Sequence, residues 1–204
     1  MDRYSLQNAY GLRSSDDVAE FYGGWARDYE DELAENGYAT PLRCATALAD
    51  RVEDPGRPII DLGCGTGLSG LALRDAGFTT IDGCDLSEEM LARAREKDVY
   101  RELVAADLAA ALPMPAGAYA HAAAVGCLSP EYMPVTVLDD ILGALAPRGC
   151  LVFSLNDHAA ADGTMRGRIC ELCDAGAAEL LHRSYGEHLP GIGLASTVFV
   201  LRRR

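Results

Sequence analysis

The chain has 204 residues, with 18 basic and 31 acidic side chains and a net charge of −13 at pH 7. That length suits one domain with a sizeable core, and that charge argues against a partner recognised through its phosphate backbone. No apolar run reaches the ~20 residues that span a bilayer, and the opening MDRYSLQNAYGLRSSDD lacks the apolar centre of a secretion signal, so a cytoplasmic protein with no membrane contact is expected.

Residues 15–33 place Val18, Phe21, Tyr22, Trp25, Tyr29 and Leu33 at helical spacing, interrupted at Gly23 and Gly24, which predicts one helix or two short ones. A second apolar-striped helix follows from Pro41 to Val52. The next stretch, PIIDLGCGTGLSG from Pro58 to Gly70, is a short apolar strand ending in Asp61, then glycines at 63, 65 and 67, then a helix over Leu68–Ala76. Glycine admits a ligand against the backbone because no Cβ intervenes, and the N-terminal N–H groups of the helix favour a carboxylate or phosphate there. Thr79–Asp85 reads as the next strand, and its terminal acid, 18 residues after Gly67, is placed to accept from ribose hydroxyls. Ser87 then caps a helix with acids in its first turn and arginines in its last.

This βαβ unit serves both dinucleotides and S-adenosylmethionine. Two details separate them. The third glycine comes one position earlier than in GxGxxG, and Asp61 would repel a pyrophosphate but attract the ammonium of a methionine moiety, directly or through water. Farther on, Leu103–Ala105 is a strand followed by Asp107 and Leu108, and Tyr119, Ala120 and His121 open a fourth strand ending near Val125 and Gly126. Val135–Ala146 is a helix, CLVFSL a fifth strand, and Thr164–Ala175 another helix. The chain closes with AELLHRSYGEHL, a PGIG turn and STVFVLRR, a hairpin whose final strand should run against an otherwise parallel sheet.

The successive stretches IIDLGCGTG, CDLSEEML, ELVAADLAAALPMPAGAYAHAAAVGCL and LAPRGCLVFSLND resemble the motifs of class I S-adenosylmethionine-dependent methyltransferases over nearly the whole chain. VAEFYGGWARDYE and VGCLS are similar to the methyltransferase-like type of the Williams–Beuren region. The resemblance implies a three-layer αβα Rossmann-like fold, a seven-stranded, mostly parallel sheet with the last strand antiparallel, in one domain. Residues 1–40 would form a helical lid and 41–204 the core.

It also implies site residues. Gly63, Cys64 and Gly65 would bound the methionine portion, Asp85 would hold the ribose, Leu86 and Met90 would pack near the adenine, and Asp107 with Leu108 would meet the adenine edge. Asp107 alone reads equally well as a loop or helix-cap acid. Val125 would line the pocket, and Tyr22 or Tyr29 would reach the methionine end from the lid, although aromatic residues at that spacing also pack simply against a sheet edge. The implied reaction is in-line methyl transfer to a small molecule, or to a protein, leaving S-adenosylhomocysteine. Alignment of the partners supplies much of such catalysis, so a general base is optional and none is assigned. Tyr22, Glu131, Tyr132, Asn156, Asp157 and His158 stand at strand tips near the transferred group.

The fourth strand departs from the family pattern, carrying Ala120 and His121 where many members have an aspartate. That departure keeps open a cofactor-binding or regulatory protein without turnover, and a nicotinamide-dependent oxidoreductase is the remaining enzyme reading. Seven cysteines are spread through the predicted elements, and Cys170 with Cys173 forms a CxxC without a second pair to complete four metal ligands, so no metal site is expected.

Overall fold

The computed structural model describes residue 12 and residues 14–204. The opening segment read for a secretion signal, and the corresponding part of the expected lid, lie largely outside these residues. Two helices come first, α1 (Ser15–Trp25) and α2 (Tyr29–Glu35). Ser14 caps α1, its Oγ accepting from the Asp17 N–H at 3.1 Å, with Asp16 and Asp17 favourably placed in the first turn. The helix runs straight through Gly23 and Gly24, and the break falls at residues 26–28 instead. Gly23 needs its missing side chain: a Cβ there would stand 2.9 Å from Glu89 Oε2 on a neighbouring helix. The glycine marks close packing of two elements rather than a turn.

The remaining order is α3 (Thr40–Ala49), β1 (Ile59–Leu62), α4 (Leu68–Asp75), β2 (Ile81–Asp85), α5 (Glu88–Glu96), β3 (Leu103–Ala105), β4 (His121–Ala124), α6 (Val137–Ala144), β5 (Cys150–Asn156), α7 (Thr164–Asp174), β6 (Ala178–Leu189) and β7 (Leu194–Arg203). The seven strands form one sheet in the order β3-β2-β1-β4-β5-β7-β6. β7 runs antiparallel to both its neighbours, with Val152 opposite Val200 and Phe153 opposite Phe199, while the strands from β3 across to β5 are parallel. The reversed final strand expected from the terminal hairpin is therefore present.

Alternate residues of each strand feed opposite faces, so the sheet separates two cores. One holds Ile60, Leu62, Ala122, Ala124, Phe153 and Leu155 under Leu138 and Ile141 of α6 and Met165 and Ile169 of α7. The other holds Ile59, Ile81, Ala123, Val152 and Val200 under Cys44 and Leu48 of α3 and Leu73 of α4. Leu91 and Ala94 of α5 extend that second layer through Tyr100, which touches both clusters. This is a three-layer αβα arrangement. The strand order reverses between β1 and β4, which opens a crevice beyond the carboxyl ends of the central strands, where open α/β sheets bind ligands.

The first two helices close over that crevice. Phe21, Trp25 and Leu33 pack with Leu189 and Leu194 from the terminal hairpin. Lys97, just past α5, pairs with Glu30 of α2 at 2.5 Å. On the other side, Ala39 N–H donates to the His188 carbonyl at 3.0 Å and Thr40 Oγ1 lies 2.7 Å from His188 Nδ1.

Candidate functional site

The loop between β1 and α4 forms the floor of the crevice, and its three glycines have three different reasons to be glycine. All have positive φ, +65° at Gly63, +54° at Gly65 and +94° at Gly67. A Cβ on Gly63 would fall 2.6 Å from Cys127 Cβ, so this position lets the β1 and β4 loops touch. A Cβ on Gly67 would fall 3.1 Å from Lys97 and Tyr100, a helix-packing constraint. At Gly65 nothing stands within 4 Å. Of the three, this is the one whose bare backbone is open to a ligand.

Asp85, at the tip of β2, is tied to the loop. One carboxylate oxygen accepts from the Gly65 N–H at 2.8 Å and the other from the Ser87 N–H at 3.0 Å. Burial raises its pKa while these two bonds oppose the rise. Each oxygen retains a lone pair, so the group can also accept from a vicinal diol. Met90, in the first turn of α5, is buried, with its N–H held by the Ser87 cap.

A single cleft joins these parts. Gly63, Gly65, Asp85, Leu86 and Met90 line one side, and Ala106, Asp107 and Leu108 the next. Asp107 does what both of its readings require: Oδ1 accepts from the Ala109 N–H at 2.8 Å, capping a turn, and the residue lines the cleft. Val125, Gly126 and Cys127 form the wall beyond β4. The first two helices contribute Tyr22 and Tyr29, whose rings lie 6.2 Å apart and both pack on Trp25, at 5.9 and 4.8 Å.

Ten of the twelve residues named from the sequence thus share one cleft. The other two lie beneath it. Cys64 is buried against Leu91 and Ala94 of α5, and the residue borders a smaller hollow next to the cleft together with Thr66 and Ser69. Asp61 is fully buried and lines neither space. Its Oδ2 accepts from Ser69 Oγ at 2.6 Å and Tyr100 Oη at 2.8 Å, while its Oδ1 has no partner among the described residues. Burial pushes its pKa up to about 6 against the opposing effect of those two hydroxyls.

Sequence reasoning left Ser15, Val18 and Met133 unassigned, and all three line the cleft. Of the strand-tip candidates, Tyr22 and Tyr132 reach it, and Tyr132 Oη donates to the Cys127 carbonyl at 3.1 Å. Glu131, Asn156, Asp157 and His158 do not line it. Asn156 Oδ1 instead accepts from the Ala159 N–H at 2.9 Å, and Asp157 accepts from Tyr185 Oη at 3.2 Å. His121 lies at the far end of β4, buried edge-on to Phe78, its pKa pushed down to about 4 chiefly by burial. Its place is structural.

Comparison with known proteins agrees with this geometry. A family described as a methyltransferase domain matches residues 59–149. Human methyltransferase-like protein 27 is 31% identical over 144 residues, covering 68% of this chain and 58% of its own length. The chain belongs to the class I S-adenosylmethionine-dependent methyltransferases. Its likeness to the human protein also agrees with the narrower resemblance seen in VAEFYGGWARDYE and VGCLS. Two further relatives of this chain differ in what they are named for. A probable 18S rRNA (guanine-N(7))-methyltransferase of Dictyostelium discoideum is 34% identical over 50% of this chain and 32% of its own length. A trans-aconitate 2-methyltransferase of Paracidovorax citrulli is 33% identical over 65% of this chain and 48% of its own. The chain spans about half the length of the curated relatives it matches, or less. Among solved structures, magnesium protoporphyrin IX methyltransferase from Synechocystis, with bound S-adenosylhomocysteine, superposes with a TM-score of 0.66 at 18% identity, over 93% of this chain and 99% of that one. It shares the fold.

Proposed function

We propose that this methyltransferase moves a methyl group from S-adenosylmethionine to a small molecule held between the helical lid and the strand tips. The observation that carries the reading is the meeting, in one cleft, of an open glycine at 65, a loop-bound acid at the tip of β2, a second acid after β3, and two lid tyrosines. These residues fit the cofactor. Gly65 leaves the backbone bare for the methionine arm, and the Asp61 oxygen buried beneath it, without a partner among the described residues, is a counter-charge for its ammonium, directly or through water. Asp85 has lone pairs left for the ribose hydroxyls, Leu86, Met90 and Leu108 offer apolar faces to the adenine, and Asp107 accepts from its amino group.

When bound, S-adenosylmethionine supplies an electrophilic methyl group. The part of this chain is to hold and enclose. Tyr22, Tyr29 and Tyr132, with Val18 and Met133, surround the mouth with phenols and apolar surface, which excludes water and aligns an acceptor. A net charge of −13 and this walled cleft favour a small acceptor over nucleic acid. We take residues 1–40 as the lid and 41–204 as the core of one cytoplasmic domain. Among the described residues no helix is long and apolar enough to cross a membrane.

Parallel calorimetric titration with S-adenosylmethionine, S-adenosylhomocysteine and NAD tests the cofactor assignment. Saturable binding of the first two alone is expected, and binding of NAD alone would overturn it. A labelled-methyl screen across small acids, amines and phenols, with a structured RNA alongside, then reads the acceptor. Transfer to RNA alone would refute the small-molecule assignment, and tight binding without transfer to any acceptor would point to a binding protein.

A further inference from the structure

Tyr100 precedes β3 and belongs to no motif, yet it occupies a slot cut into the cofactor-binding elements. Its ring lies where side chains would otherwise stand at three glycines. A Cβ on Gly67, at the head of α4, would be 3.1 Å from the ring, one on Gly83 in β2 would be 2.9 Å from it, and one on Gly70 in α4 would collide with the hydroxyl. Glycine at all three positions lets a large side chain pass beneath the cofactor loop. Its hydroxyl donates to Asp61 Oδ2 at 2.8 Å and accepts from the Gly70 N–H at 3.2 Å.

The second donor to Asp61 is Ser69 Oγ, and it too bonds Oδ2. Both hydroxyls therefore hold the same oxygen. A buried carboxylate with one oxygen doubly bonded and the other bare is an unfinished hydrogen-bond set, because such groups are ordinarily satisfied on both sides. Burial and the facing carboxylate keep the Tyr100 phenol protonated, so it serves as a fixed donor.

We infer that Tyr100 is a positioning residue for cofactor binding: with Ser69 it fixes Asp61 through Oδ2, so that Oδ1 is reserved for the ammonium of the amino-acid arm. This deepens the site reading given above and rests on it. The groups facing Asp61 are Ser69 from α4, Tyr100 from the segment before β3, Cys64 from the glycine loop, Cys84 and Asp85 from β2, Cys44 from α3 and Cys127 from the loop after β4. Burial pushes the pKa of each of these cysteines up, so they stay neutral thiols near neutral pH. Asp85 is the one other carboxylate in that set.

Two ligands separate a positioning role from mere support of the fold. S-adenosylhomocysteine carries the ammonium, and 5′-methylthioadenosine has the same nucleoside without the amino-acid arm. In Tyr100→Phe the ring still fills its slot and only the hydroxyl is lost. Affinity for S-adenosylhomocysteine is expected to fall about tenfold, the loss of one hydrogen bond to a charged group, while methylthioadenosine binds within about twofold of wild type. The fall-off of S-adenosylhomocysteine binding on acidification should also begin at higher pH than in wild type. Ser69→Ala should show the same selectivity, and it carries the test if the tyrosine variant does not fold.

Asp61→Asn separates the two layers of the argument. If it weakens S-adenosylhomocysteine selectively while Tyr100→Phe and Ser69→Ala do not, the site reading stands and the positioning role is overturned. If Asp61→Asn leaves the preference between the two ligands unchanged, the ammonium contact itself is refuted. Equal weakening of both ligands in Tyr100→Phe would make Tyr100 a structural residue alone and also overturn the inference.

Discussion

Two carboxylates at neighbouring strand tips do different work because their surroundings differ. Asp85 is bonded at one oxygen to the Gly65 N–H of the glycine loop and at the other to the Ser87 N–H at the cap of α5, so Asp85→Ala removes a ligand acceptor and loosens Gly65 together. Cofactor affinity should drop by about 1–3 kcal/mol, the range for hydrogen bonds to a charged group and for loss of a buried partner, and titration calorimetry reads it directly. Asp61 carries a cost in the ligand-free protein. Its pKa is about 6 in the fold, against an ordinary value of 3.8, so the folded state binds its proton more tightly than the unfolded chain does. The Asp61 contribution to stability is therefore greatest below pH 4, declines as pH rises to 6, and above that becomes a penalty on the order of 3 kcal/mol. Asp61→Asn should melt higher than wild type at pH 7 without ligand, with the gain vanishing toward pH 4, while binding the cofactor more weakly. Equal melting temperatures across pH 4–8 would show that the buried carboxylate costs nothing. Asp85 and the glycines were legible in the sequence because a strand, a turn and a helix put them in register. Tyr100 was not, because its partner lies 39 positions earlier and no local period connects them.

At the level of elements, the two opening helices are held by packing between them rather than by their own helix propensity. α2 has seven residues, too few to persist alone, and α1 contains two consecutive glycines. What orders them is Trp25, 2% exposed, packed edge-on to Phe21 and Tyr29, with its indole N–H donating to Glu32 at 2.9 Å. Trp25→Ala leaves a large void and should cost on the order of 3 kcal/mol, felt within the lid. Hydrogen exchange should quicken across residues 15–35 while the central strands stay protected, and cofactor affinity should fall with it. Uniform exchange throughout the chain would mean that lid and core unfold as one unit. The helical spacing of residues 18–33 was readable, but the position of the break was not. Glycine lowers helix propensity at positions 23 and 24, yet the approach of α1 to α5 rewards the missing side chain there, and packing overrides propensity.

Across the whole molecule, the last strand in sequence is not the last in the sheet. β7 lies between β5 and β6, so Val198 and Val200 enter one core and Phe199 and Leu201 the other. A chain ending at Leu189 would lose both and strand β6 without its neighbour. Such a truncation should give no cooperative thermal transition, and a sharp transition would show that the parallel strands fold without their reversed partner. The βαβ order and the terminal hairpin made this architecture legible, since short connections leave few topologies. The walls of the cleft were less so, because Ser15, Val18 and Met133 come from segments that only the folded chain brings together. The first helix has one more property. The chain has a single tryptophan, and its ring stands 4.8 Å from a tyrosine that lines the cleft. Its tryptophan emission can therefore come only from the end of α1 beside the cleft, so the protein carries its own optical gauge of occupancy. Ligand entry should shift that emission and let binding rates be followed by stopped flow without any added label.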